Sequence, residues 1–150
     1  MSCLSDAAAM IPALTGFCYP GLQAMTGPDR THVSPSLMVT HSIALDEALR
    51  SAQPAASRWD YGVGRRRNSD PEELVWIEVH PASGGSGIHD VENKARWLFA
   101  WLAGVGRPLA YKPRRFVWVA SGRSSFGRND PKLRALQAIG IQFVGGHLPL

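Results

Sequence analysis

Cysteine is nearly absent from this chain. Cys3 and Cys18 are the only two among 150 residues, which argues against a disulfide framework or a zinc cluster. Long apolar runs are also missing, and no stretch approaches the length of a membrane span. The segment Ala7 to Leu14 is mildly apolar but has no Lys or Arg before it, so it makes a poor secretory signal. A cytoplasmic location is the default expectation. There are no internal repeats, no P-loop and no dinucleotide fingerprint. Acidic residues thin out towards the C-terminus: from Gly104 onward eight Lys and Arg face Asp130 alone.

What is present describes an ordinary globular domain, with 45% apolar and 19% charged residues and a formal charge of +4. The one-sided basic half reads either as a solvated surface or as a face for phosphates. Residues 1–40 contain Pro12, Pro20, Gly21, Gly27, Pro28 and Pro35 without a sustained period. They are expected to form an irregular extension that wraps the domain or stays partly disordered, with residues 41–150 as the domain proper. His32 reads as a surface histidine. Thr40 or Ser42 is placed to cap a helix running to about Ala52, with Leu45, Ala48, Leu49 and Ala52 as its apolar stripe and Glu47 on the solvated side.

The organising stretch is Leu74 to His80, Leu-Val-Trp-Ile-Glu-Val-His, a strand by its β-branched and aromatic content. Leu74, Trp76, Glu78 and His80 share one face, and Val75, Ile77 and Val79 share the other. Glu78 follows an apolar run, where a carboxylate is costly unless a cation meets it. Arg58 to Gly64 reads as the preceding strand, with Trp59, Tyr61 and Val63 on one face and Asp60, Gly62 and Gly64 on the other. Asn68-Ser69-Asp70-Pro71 supplies the turn between them. A hairpin symmetric about Ser69 sets Asp60 opposite Glu78, on the same face and roughly 5 Å apart at Cβ. Like charges so opposed make sense mainly with a cation between them. A slip of one residue would separate them and leave two unrelated strand carboxylates.

Ala82 to Gly87 reads as a flexible loop, serving either substrate entry or mere connection. A helix from about His89 or Asp90 to Ala103 follows, with Val91, Ala95, Leu98 and Leu102 as its core stripe. Lys94 sits at the edge of that stripe, to snorkel into water or to reach over the sheet end towards Glu78. Arg115 to Ala120 is an apolar strand expected parallel to the Leu74 strand through a crossover. The loop Ser121 to Arg128 mixes Gly, Ser and two arginines, a weak phosphate-loop signal. Asp130 then caps a helix with Pro131 at its first position, and Ile141 to Val144 is a last short strand.

This order of elements, with Asp60 on the first hairpin strand and Ile77-Glu78-Val79-His80 on the second, resembles the PD-(D/E)XK nuclease superfamily over roughly residues 41 to 145. The resemblance implies an α/β fold with a restriction-endonuclease-like α-β-β-α-β core, its mixed central sheet flanked by helices. It further implies a divalent-metal-dependent nuclease acting on DNA phosphodiester bonds. Asp60, Glu78 and the main-chain carbonyl of Val79 would hold Mg²⁺ or Mn²⁺, which polarises the phosphate and acidifies the attacking water. The departure is His80, which stands where the family usually has lysine. His80 as base or ligand, Lys94 in the lysine's place, and a degenerate site that binds nucleic acid or protein without cutting are three open readings. Arg65, Arg66, Arg67 and Arg123 are candidate phosphate contacts. The expected partners are DNA and, as one option, a second copy of the chain, with no membrane.

Overall fold

The protein is described here from a computed structural model covering residues 3–83, 86–111 and 113–150. Gly84 and Gly85 of the expected loop, and Lys112 of the basic set, lie outside the described residues. The fold is mixed α/β. Its main sheet is built from β1 (Cys18–Pro20), β3 (Val39–Ala44), β4 (Tyr61–Arg65), β5 (Glu73–Pro81), β6 (Arg114–Ser121) and β7 (Ile141–Phe143) in the spatial order β1-β3-β4-β5-β6-β7. The β1 to β5 pairings are antiparallel, whereas β5-β6 and β6-β7 are parallel. A second, two-stranded sheet joins β2 (Val33–Ser34) to β8 (Leu148–Pro149). The helices are α1 (Cys3–Ala9), α2 (Gly27–Arg30), α3 (Leu45–Leu49), α4 (Gly87–Ala103) and α5 (Arg134–Ala138). No helix among the described residues is long and apolar enough to cross a membrane.

β5 reads as a continuous apolar run because both of its faces are covered. Leu74 and Trp76 pack with Leu4, Ile11, Leu14, Val91, Leu98 and Trp118 on one side. Val75 and Ile77 pack with Leu22, Met25, Val33 and Leu148 on the other. Residues 3–40 thus contribute to both cores and supply the edge strand β1. The boundary expected near residue 40 falls inside β3.

The helix expected from Thr40 or Ser42 to Ala52 needs correction. Val39–Ala44 is a strand, and the helix begins only at Leu45, with Ala44 as an N-cap that lends no side chain. The two hydroxyls have other work: Ser42 Oγ accepts from Ala24 N at 3.0 Å, and Thr40 Oγ1 donates to Glu72 Oε2 at 2.6 Å. β-Branched Val39, Thr40 and Ile43 had already favoured a strand. Leu45 and Leu49 are buried and Glu47 is exposed, whereas Ala52 is exposed and lies beyond the helix.

The hairpin pairs Tyr61 with Ile77, Gly62 with Trp76, Val63 with Val75, Gly64 with Leu74 and Arg65 with Glu73, each pair symmetric about Ser69. Asn68 takes a positive φ of 53° in the turn, a conformation asparagine tolerates. Gly62 is required by close approach, since a Cβ there would lie 2.9 Å from the Trp76 ring. Trp59 departs from expectation. It joins the core on the α4 side, while Tyr61 and Val63 join the opposite one, because β4 starts only at Tyr61 and strand alternation does not extend back to Trp59. α4 buries Val91, Ala95, Leu98 and Leu102, and β6 runs parallel to β5 in continuous register. Asp130 caps a 3-10 turn, its side chain accepting from Lys132 N at 2.9 Å, before α5 begins.

Candidate active site at the carboxyl end of β5

One step beyond the last ladder pair of the hairpin, Asp60 meets Glu78 and its neighbour Val79 through two hydrogen bonds. Asp60 N donates to Glu78 Oε1 at 3.1 Å, and Val79 N donates to Asp60 Oδ2 at 3.0 Å. The Asp60 carbonyl is turned away and accepts from Leu45 N and Asp46 N at 3.0 and 3.2 Å. Its carboxylate therefore takes the place a backbone carbonyl would hold in the ladder, and this local break positions Asp60 against Glu78.

Glu78 is fully buried. Lys94 reaches it from α4, with Nζ 2.5 Å from Oε2. Of the two courses the sequence left open to Lys94, the side chain takes the reach over the sheet end. His80 also turns towards Glu78, with Nδ1 3.6 Å from the same Oε2 and Nε2 3.6 Å from Asp90 Oδ2. Those separations are too long for hydrogen bonds, so the imidazole sits in the field of two carboxylates without being fixed by either. Its backbone is fixed, since Trp118 Nε1 donates to the His80 carbonyl at 2.9 Å.

One ammonium faces two carboxylates, and burial is the main influence on their protonation, with the neighbouring charges adding to it or opposing it. Burial raises Asp60 to about 6, against the opposing pull of the Lys94 charge and the Val79 N–H. Burial and the Asp60 charge hold Glu78 well above the usual carboxylate range. For Lys94, burial pushes downward, but Glu78 and Asp60 outweigh it and the net shift is upward. His80 is lowered by burial and by the Lys94 charge. At neutral pH the cation of the cluster is Lys94, and His80 is a neutral imidazole.

The hard oxygen donors of Asp60 and Glu78 suit Mg²⁺ or Mn²⁺. No group of three or more His, Cys, Asp or Glu side chains placed to hold a metal is found among the described residues. A cation here would take two carboxylates, a main-chain carbonyl and water, which suits Mg²⁺, an ion that keeps several waters.

Not every candidate residue gathers here. Arg65, Arg66 and Arg67 lie at the turn end of the hairpin, and Arg65 is about 16 Å along the strand from Asp60 at 3.3 Å per residue. Arg65 instead meets Glu73 Oε1 at 2.9 Å. Arg123 is exposed on the loop after β6 at the site end of the sheet. That loop is tied to the strand end, because Ser125 N and Oγ both donate to the Ala82 carbonyl, at 2.9 and 3.0 Å. Two further acids stand near the cluster. Asp90 precedes Lys94 by one helical turn, a spacing legible in the sequence. Asp46, paired with Arg58 Nε at 2.9 Å, acts electrostatically on Asp60 and Lys94. No sequence signal pointed to Asp46, since its approach depends on the misread start of α3.

Comparison with known proteins adds no identity: no family model, no curated protein and no solved structure matches this chain.

Proposed function

We propose that the Asp60, Glu78, His80 and Lys94 cluster is a divalent-cation-dependent site for DNA phosphodiester cleavage, on a core of the restriction-endonuclease-like type. The observation that carries the reading is the pairing of two opposed carboxylates, one of them fully buried, around a single ammonium. With both carboxylates ionised the cluster is one positive charge short, and burial, the main cause, sets both against that state, helped at Glu78 by the Asp60 charge. A divalent cation supplies that charge, polarises a phosphate and acidifies a water.

The chain's own residues have separable tasks in this reading. Asp60, Glu78 and the Val79 carbonyl hold the cation. Lys94 offsets negative charge developing on the phosphate oxygens. His80, neutral at pH 7, accepts the proton of the attacking water at a free ring nitrogen. The new P–O bond forms as the bond to the leaving oxygen breaks, and that oxygen departs with the electron pair. Arg123 is the phosphate contact best placed at this end of the sheet.

A second reading has its own support. Both Glu78 oxygens and Asp60 Oδ2 already meet protein donors, so a cation at Glu78 would compete with Lys94 for its charge. A catalytically silent domain of the same core, used for binding nucleic acid or protein, fits that arrangement.

Supercoiled plasmid with Mg²⁺ or Mn²⁺ separates the two. The first reading expects nicking by the wild type, loss with Lys94→Ala, and much residual activity with His80→Ala if Lys94 is the essential helper. A reversed order assigns the essential role to His80. No nicking by the wild type with either cation rejects the enzyme in favour of the silent domain.

A further inference from the structure

The two edges of the main sheet differ in how they are protected. β1 carries Pro20 among its three residues, a common device against strand addition. β7 at the opposite edge, Ile141-Gln142-Phe143, has no proline and no charge. Its inner side is satisfied by β6. Just past the strand, Val144 N donates to Trp118 O at 3.0 Å, and Ala120 N donates to Gly145 O at 2.7 Å. Backbone groups alternate sides along a strand, so the N–H and C=O of Phe143 face outward.

Two open clefts, of about 600 and 760 Å³, meet at Gly140 and Gln142 on this edge. Arg128 lines the first, and Arg114 and Arg115 line the second. Arg128 is exposed and makes no salt bridge among the described residues. Arg114 reaches the Ala110 carbonyl at 3.4 Å and lies over the Phe116 ring, with no carboxylate partner there either. Only Arg115 approaches an acid, Glu73, at 3.8 Å.

We infer that β7 is a docking edge for an extended acidic peptide, added to the sheet as a further strand. The main chain of the peptide would pair with Phe143, and its acidic side chains would meet Arg114 and Arg128. Charge complementarity selects this occupant. A second copy would bring the same arginines together across the new pair, and a nucleic-acid backbone has no donor and acceptor alternation to match a strand edge. The inference is independent of the chemistry at Glu78.

The probe is a short fluorescein-labelled peptide of alternating glutamate and valine, followed by polarisation with the full chain. Binding is expected, weakened roughly tenfold by Arg114→Glu with Arg128→Glu, a change of about 1.4 kcal/mol. Hydrogen exchange at the Phe143 amide should slow when peptide is added. A version N-methylated at alternate residues should not bind, nor should one with lysine for glutamate. Arg128→Glu alone, at an exposed position, covers the case in which the double variant fails to fold and should itself weaken binding. Equal binding of the N-methylated peptide, or unchanged Phe143 exchange, overturns the inference. So does a result in which the wild type ignores the peptide and instead self-associates, or binds duplex DNA, through these arginines.

Discussion

A buried glutamate stands at each end of the central strand, and the two are built differently. Glu72, one residue before β5, accepts from Leu4 N at 2.6 Å, Thr40 Oγ1 at 2.6 Å and Tyr111 Oη at 3.1 Å. Those donors come from three distant parts of the chain, so this carboxyl is a clasp that fastens the N-terminal segment and β3 to the sheet. Glu78 is buried as deeply, but it shares its space with Asp60 and takes an ammonium from the α4 helix. Burial alone therefore marks neither residue as functional. A second carboxylate competing for one cation distinguishes the site end from the clasp end.

Truncating the clasp should give the largest effect on stability. Glu72→Ala orphans three buried or half-buried donors and is expected to cost about 3–5 kcal/mol in urea unfolding. Glu78→Gln at pH 8, by contrast, removes a charge the fold disfavours and should cost far less. A Glu78→Gln loss as large as that of Glu72→Ala would erase the contrast.

Removing the ammonium comes next. Lys94→Met leaves two carboxylates facing each other and should destabilise the protein by about 3 kcal/mol at pH 8. Much of the loss should return near pH 5, where the carboxylates take up protons. A pH-independent loss would show that Lys94 matters only through its packing.

Gly64 probes the clasp more gently. A Cβ there would lie 2.6 Å from Thr40 Oγ1 and 3.0 Å from the Glu72 carboxyl carbon. Gly64→Ala should cost about 1–3 kcal/mol through overpacking, measured by thermal unfolding, without altering cation binding at Glu78.

The smallest effect is a slope. Burial raises Asp60 to about 6 in the folded chain, against an ordinary value of 3.8, so the folded state binds its proton more tightly than the unfolded state. Its contribution to stability is present below about pH 4 and is lost as pH rises through 6. Asp60→Asn should flatten the fall in thermal midpoint over that window. An unchanged profile would place the perturbed titration elsewhere.

Much of the site was legible before the structure. Asn68-Ser69-Asp70-Pro71 and the period-2 pattern on both sides suggested a hairpin symmetric about Ser69 while leaving a one-residue slip open, and the pairing is the symmetric one. Lys94 was visible as a lysine at the edge of an apolar helical stripe. The sequence did not disclose that β4 begins only at Tyr61. Trp59 fits a strand pattern locally, yet tertiary packing sends it to the opposite core. The clasp was also hidden, because Leu4, Thr40 and Tyr111 approach Glu72 only after the sheet has formed. The arginine triplet at 65–67 suggested a phosphate surface, but strand geometry carries it to the far end of the hairpin.

The central claim is that the site end of β5 lacks one positive charge and takes a divalent cation to supply it. Titration calorimetry with Mn²⁺, paired with thermal unfolding, tests this most directly. One saturable site and a raised midpoint are expected for the wild type, with both lost in Asp60→Asn and in Glu78→Gln but retained in Glu72→Gln. Equal midpoint shifts in all four proteins, or no binding by the wild type, would contradict the claim.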